Sequence, residues 1–438
     1  MKLNILLSLV LSVFCQFLVA GNQKQTIGKE QLRQILETDV ELNRLYSNTY
    51  HKLLSRMEDD GYLPESLTGA YKGMYPRTVG AYTLLMIETG HYREAELTLN
   101  YVFDAMAAHD EIFVPHVVGK EEGRGTIIDD QYQSDAHAHM ILGWARLALA
   151  RGDSQFEKDT WPYVKKLMNR LCDRTLFLYG GWSIEPGLVR AVTFEHSRDG
   201  RMWDAFDLLT QSFVGAALTE MIKIADKHGD SRQSSVWREK EKILSEGINK
   251  HLVVERDGMP TYAEMFIPNG DGGNPYMGMG WVCFSPIAAG WEGVDRQVMK
   301  NTMAYMENHY LQTTGGIKWM PTDIYPDGVF VNEVIGKGIG WELDFARAEA
   351  NYERVNEILQ LIKASNVGKS IYMEFAWLEG NGFTRNSKIR KTDVDNAMNN
   401  SQWVSRDAGN GEQNTWFCWA MARLRKSVGL PAEPAVHG

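Results

Sequence analysis

Apolar positions recur along most of this chain with the three-to-four-residue spacing of helices, and almost nowhere with the strict alternation of strands. The spacing predicts about twelve helices, over 29–58, 78–89, 92–109, 131–150, 154–173, 204–227, 232–250, 280–290, 295–311, 338–348, 350–365 and 412–427. They are of two kinds, and the kinds alternate. Segments such as AFDLLTQSFVGAALTEMIKIA and MGWVCFSPIAAG are apolar or small nearly all round, the pattern of a helix buried on every side. Segments such as SSVWREKEKILSEGINK and YERVNEILQLIKAS carry one apolar stripe and one charged face, the pattern of a helix at the surface.

The connections alternate in step. Buried-type helices lead into short polar turns, TGHYRE, ARGDSQ, DKHGDSRQ, GWEGVDR and AEANYER. Surface-type helices lead into long segments rich in Gly, Pro, Trp and charge, too long to be idle inside a compact domain. Outer and inner helices joined by tight turns at one end predict an all-α fold, an (α/α)6 toroid built as one domain over 21–438. Its six long loops then share one rim. An open solenoid of helix pairs is the competing layout, but its repeats would be more uniform in length and loop size.

Composition adds limits. The chain has 438 residues, 44% hydrophobic and 23% charged, an ordinary globular balance. Residues 1–20 place Lys2 before an apolar run that ends in small residues, the pattern of a secretory signal peptide. The expected location is therefore periplasmic or secreted. A lipid anchor at Cys15 is disfavoured by the bulky Phe14 before it, and no later apolar run is long enough to span a bilayer. A net charge of −10 argues against a broad phosphate-binding surface, and so against nucleic acid as a partner. Cys172, Cys283 and Cys418 lack CxxC spacing and are expected to be buried thiols.

The long loops carry the candidate chemistry. Of thirteen tryptophans, Trp182, Trp203, Trp281, Trp319, Trp341, Trp377, Trp403 and Trp416 fall in these loops or in the helix starts they feed. Flat apolar faces with a polar edge suit the C–H faces and hydroxyl edges of a sugar ring. Carboxylates crowd the same segments, and a pair of them suffices to hydrolyse a glycosidic bond, one donating a proton and the other activating water or attacking carbon. That chemistry requires no metal or organic cofactor. Other signals carry less. His137 and His139 lie two apart and diverge on a helix, so they make a poor metal pair. NGDGGNP (269–275) lacks the spaced acids of a calcium loop and is expected to be a turn. RNSKIRKTD (385–393) is expected to be solvated surface.

The layout resembles the six-hairpin glycosidases, and four stretches are similar to the glucoamylase family in particular. FEHSRDGR resembles that family's aromatic–glutamate segment, which implies Glu195 as proton donor, with Phe194 limiting water beside it. MYPRTVGAY resembles a segment that grips the terminal sugar, which implies Arg77. QYQSDAHAHMILGW resembles the start of the second inner helix, matching Gln133 and Asp135. GNGEQNTWFCWA resembles the segment that supplies the base, which implies Glu412. Trp203, Trp341, Trp416 and Arg201 complete the expected substrate-binding set, with Arg198 an alternative to Arg201 for orienting the acid or the sugar.

Two departures qualify this. Thr78 stands where the family has Asp, and Gln413 stands three residues before Trp416, with Glu412 one step further. Glu374 and Glu379 in IYMEFAWLEG are therefore alternative bases. The resemblance implies an inverting hydrolase that removes sugars from a chain end. The sugar is neutral, or a uronic acid met by Lys72, Arg77, Arg124, Arg190, Arg198 and Arg201. An unsaturated uronide would bring in Asp130 or Asp135 as the acid. A polysaccharide lyase and a non-catalytic glycan-binding protein are the remaining alternatives.

Overall fold

The first predicted helix divides at Asp39. There the backbone turns extended and the side chain accepts the N–H of Leu42, ending α1 (Lys29–Thr38) and opening α2 (Val40–Ser55). The computed structural model describes residues 27–111, 113–173, 181–198, 201–269, 272–392, 394, 398–406 and 409–435. The side chains of 192–198, 201–203 and 399 lie outside the described part, as does the expected signal peptide. The helices that follow are α3 (Pro76–Thr89), α4 (Tyr92–Ala108), α5 (Ser134–Arg151), α6 (Gln155–Cys172), α7 (Leu208–Lys227), α8 (Ser231–His251) and α9 (Ser285–Ala289). The chain ends with α10 (Arg296–Tyr310), α11 (Gly336–Ala348), α12 (Tyr352–Ser365) and α13 (Gly411–Ser427). Predicted helix 280–290 is a 3-10 turn over Trp281–Phe284 running into the short α9.

Six of these form an inner ring. Helix α3 packs on α5, α5 on α7, α7 on α9, α9 on α11 and α11 on α13, and α13 returns to α3. That last contact makes a closed toroid, because the end repeats of a solenoid do not meet. Close approach within the ring depends on glycine. A Cβ at Gly80 of α3 would lie 2.4 Å from the carbonyl oxygen of His139 on α5. Tight turns at the far end are set by caps: Gly90 adopts the left-handed conformation, and Ser154, Asp230, Asp295 and Asn351 accept backbone N–H groups at the starts of the outer helices.

That far end is laced by arginines. Arg146 of α5 donates to Glu220 of α7 (3.3 Å) and to the Ala289 and Gly290 carbonyls that end α9 (2.6 and 3.1 Å). Arg423 of α13 donates to Asp344 of α11 (2.9 Å) and Glu88 of α3 (3.3 Å). Cations at the C-terminal ends of helices also offset their dipoles.

At the open end the structure departs from expectation, because the long loops are not irregular. They fold into small antiparallel sheets that sew different loops together. A five-stranded sheet joins Gly181–Trp182, Val189–Arg198, Arg201–Asp207, Met265–Asn269 and Gly272–Pro275. A four-stranded one joins Met279–Gly280, Asp323–Ile324, Phe330–Val331 and Lys388–Ile389. A three-stranded one joins Glu333–Ile335, Phe375–Glu379 and Gln402–Arg406. Most of these strands are too short to show an alternation, and their partners lie far away in sequence. Residues 204–207, predicted to open a helix, belong to a strand, and Asp207 caps α7 by accepting the N–H of Thr210. Among the described residues no helix is long and apolar enough to cross a membrane. Cys172, Cys283 and Cys418 are buried.

Candidate active site

The inner helices point their N-termini at the looped rim, and of the four with a charged residue in the first turn, three bring it to one point. Arg77 stands second in α3, Lys337 second in α11 and Glu412 second in α13. The three converge. Lys337 Nζ lies 3.1 Å from Glu412 Oε1, and Arg77 Nη1 lies 3.6 Å from Glu412 Oε2. All three side chains are at least nine-tenths buried. Two cations and a helix N-terminus favour the ionised form of a carboxyl group. Gln413, the next residue, accepts the backbone N–H of Lys337 at 2.5 Å and fastens α13 to α11.

Arg77 is held from behind. Its Nε donates to Asp135 Oδ2 at 2.7 Å and its Nη2 donates to Gln133 Oε1. Gln133 and Asp135 are buried at the start of α5 and do not line the cavity, so they brace Arg77 rather than meet a ligand.

Above this group opens a cavity of about 700 Å3, a volume suited to a small-molecule site. Its carboxyl groups are Glu65, Asp323, Glu333, Glu374 and Glu412, and its cations are Arg77, Arg385 and Lys388. Glu333 accepts from Arg385 Nε at 2.7 Å, and burial pushes its carboxyl above the usual range while Arg385 opposes the rise. Glu374 accepts from the Tyr71 hydroxyl at 2.6 Å. Burial, with Glu374 adding to it, pushes the Tyr71 phenol up to about 12. Burial likewise pushes Glu65 up to about 7, against the pull of Arg56. Aromatic faces come from Tyr71, Tyr75, Trp281, Tyr325 and Phe375. Arg385 lies 4.7 Å from the centre of the Phe375 ring and Lys388 4.5 Å from that of Tyr325, within cation–π range.

Trp341 and Trp416 do not serve as sugar platforms. Each stands one helical turn deeper than Lys337 and Glu412, and each is fully buried. The Trp341 ring packs against Trp281 (5.5 Å between centres) and Trp416 (5.3 Å), and Phe213 stacks on His139 at 3.6 Å in the same cluster. This aromatic plug fills the bore of the ring and gives the cavity a floor. His137 is likewise buried, and neither histidine lines the cavity.

Glu195, Arg201 and Trp203 sit on the paired strands Val189–Arg198 and Arg201–Asp207, and their side chains lie outside the described residues. Of the alternative bases, Glu374 lines the cavity, whereas Glu379 is exposed and accepts from Trp377 Nε1. Asp130 is exposed and outside the cavity. Of the described cations expected to meet a uronate, Arg77 alone lines the cavity; Lys72 and Arg124 are exposed, and Arg190 pairs with Asp204 at 2.5 Å. Arg385 and Lys388, expected as plain surface, form part of the wall. Sequence reasoning also missed Lys337. A signal for it exists, since Lys337–Trp341 repeats the four-residue spacing of Glu412–Trp416.

No family model matches the sequence, and no curated protein matches it. Solved structures do. One is a Streptococcus pneumoniae protein from a family of metal-independent α-mannosidases, with α-1,6-mannobiose bound in a non-productive complex. It superposes with TM-score 0.62 at 12% identity, over 91% of this chain and 97% of that one. The fold is that of the six-hairpin glycosidases. A bacterial glucoamylase with acarbose matches this six-hairpin toroid with TM-score 0.61 at 14% identity, over 89% of this chain and 56% of that one. A Klebsiella oxytoca rhamnosidase with rhamnose matches it with TM-score 0.54 at 12% identity, over 87% and 64%. At such identities the likeness carries the toroid, and the chemistry has to come from this chain's own side chains.

Proposed function

We propose that this protein is an exported glycoside hydrolase that draws the non-reducing end of an oligo- or polysaccharide into the floored cavity and releases single sugars. The observation that carries this reading is Glu412, an inward carboxylate on the floor of a sugar-sized cavity, flanked by Arg77 and Lys337. Kept ionised there, it is suited to take a proton from a water that attacks the anomeric carbon. Glu195, in the third long loop, is the proposed proton donor, and the reaction is inverting. A floored cavity accommodates a chain end better than a chain middle, which supports action from the end.

The sugar is neutral or a uronic acid: the five carboxyl groups of the lining are offset by Arg77, Arg385 and Lys388 and by Lys337 beside Glu412. Tyr71, with its phenol pushed up to about 12, is poorly suited to the proton abstraction a lyase needs. A second assignment of the donor rests on Glu333, which lines the cavity with its carboxyl raised by burial.

Incubation of the purified protein with neutral and acidic glycans, with NMR identification of the released sugar and its first-formed anomer, tests the reading. Glu412→Gln is expected to lower kcat by about 10²–10⁴ while the folded protein still binds the sugar. Near-normal turnover by that variant would remove Glu412 from the chemistry. Glu195→Gln and Glu333→Gln separate the two donors. The true donor's variant should recover activity on dinitrophenyl glycosides, whose leaving group departs without a proton.

A further inference from the structure

Glu65 belongs to the first long loop and Glu412 to the last inner helix, 347 positions apart, yet the fold builds a junction between them. Glu65 Oε1 accepts the backbone N–H of Glu412 at 3.0 Å. The strand-like segments on either side pair as well, Ser66 with Asn410, and Leu67 donates its N–H to the Gly409 carbonyl at 2.8 Å. Arg56, just past α2, donates from Nη1 to the Glu65 carbonyl oxygen at 2.6 Å. Its Nε and Nη2 are sealed from solvent with no hydrogen-bond acceptor among the described residues, so the nearby Glu65 carboxylate is its counter-charge. Only glycine fits at 411, where a Cβ would fall 2.2 Å from Arg56 Nη1 and 2.4 Å from the Glu65 carbonyl oxygen.

We infer that Glu65 is a positioning residue for Glu412: it pins the first turn of α13 and, through its own charge, sets how strongly Glu412 attracts a proton. The inference rests on the assignment of Glu412 as base. Groups facing Glu65 are Arg56 from the end of α2, Thr78 from α3, Tyr75 ahead of α3 and Glu412 from α13, with Arg77 and Lys337 on the far side of Glu412. With Glu65 neutral, Glu412 is a lone anion between two cations, which weakens it as a base. An ionised Glu65 adds a second negative charge beside it, opposes those cations and strengthens the base. Burial places the ionisation of Glu65 near neutral pH, so the base strengthens across the range in which the protein would work.

Carbon-13 carboxyl NMR of the full chain, labelled at glutamate, tests this without any substrate. The two resonances are assigned by their absence from Glu412→Gln and Glu65→Gln. In the wild type, the Glu412 resonance is expected to show a second inflection at the midpoint of the Glu65 resonance. In folded Glu65→Gln that inflection should vanish, and in folded Glu412→Gln the midpoint of Glu65 should drop by about one pH unit. A single inflection for Glu412 in the wild type overturns the inference, whether or not the variants fold, and so does an unmoved Glu65 midpoint in folded Glu412→Gln. Coupling without loss of turnover in Glu412→Gln would count against the base assignment alone; loss of turnover without coupling would count against Glu65 alone.

Discussion

Burial of ionisable groups gives this protein two opposing pH dependences that can be read residue by residue. Glu65 is raised from an ordinary 4.5 to about 7, so between those values the folded chain binds more protons than the unfolded one. Its contribution to stability is therefore full below the ordinary carboxylate range and lost as pH rises toward about 7. His137, fully buried and with the charge of Arg170 acting in the same direction, is lowered from 6.5 to about 3, so its contribution is full above 6.5 and lost as pH falls toward 3. Urea unfolding at about pH 5 and about pH 7.5 separates them: Glu65→Gln should flatten the loss on the alkaline side. An unchanged slope in a folded variant would show that Glu65 titrates alike in both states. Legibility at this scale was uneven. Arg77 and Glu412 stand in short motifs beside helix starts, and both line the cavity. Arg385 and Lys388 sit in a polar run whose sequence is indistinguishable from solvated surface.

Elements form for local reasons but fit for distant ones. The helix period was legible because it persists over many residues, and the alternation of all-round and one-sided apolar helices was legible with it. The break at Asp39 was not foreseen, although an aspartate accepting the N–H three residues on is a local capping signal. The rim strands had no such signal, since pairs like Phe330–Val331 with Lys388–Ile389 exist only because separate loops meet. Glycine in the inner ring is a comparable case. Gly80→Ala places a methyl group against the backbone of α5 and is expected to cost about 1–3 kcal/mol, read as a lower midpoint in thermal or urea unfolding. A variant as stable as wild type would mean that α3 and α5 separate more easily than their packing indicates.

For the whole molecule, closure of the ring decides where function resides. Once α13 lies against α3, residues from opposite ends of the chain share one floor: Glu65 with Glu412, Arg77 with Lys337. Arginines at the other end hold the same closure. Arg423→Met removes the bonds that tie α13 to Asp344 of α11 and Glu88 of α3, and Asp344 is buried. Arg347 remains on Asp344 at 2.6 Å, so the expected loss is about 1.5–3 kcal/mol rather than collapse. Calorimetry measures it; a midpoint equal to wild type would show that packing alone closes the ring.

By itself the sequence determined the number of helices among the described residues to within one, the inner and outer roles, the short and long connections and hence the toroid, because periodicity and capping are written in neighbouring residues. It also marked Arg77 and Glu412. The tertiary structure alone decided that Trp341 and Trp416 plug the bore, that Gln133 and Asp135 brace an arginine, and that Lys337, Glu65 and Arg385 join the site. Those roles depend on which side chains meet across the ring, and a contact between residues hundreds of positions apart leaves no periodic trace in either segment.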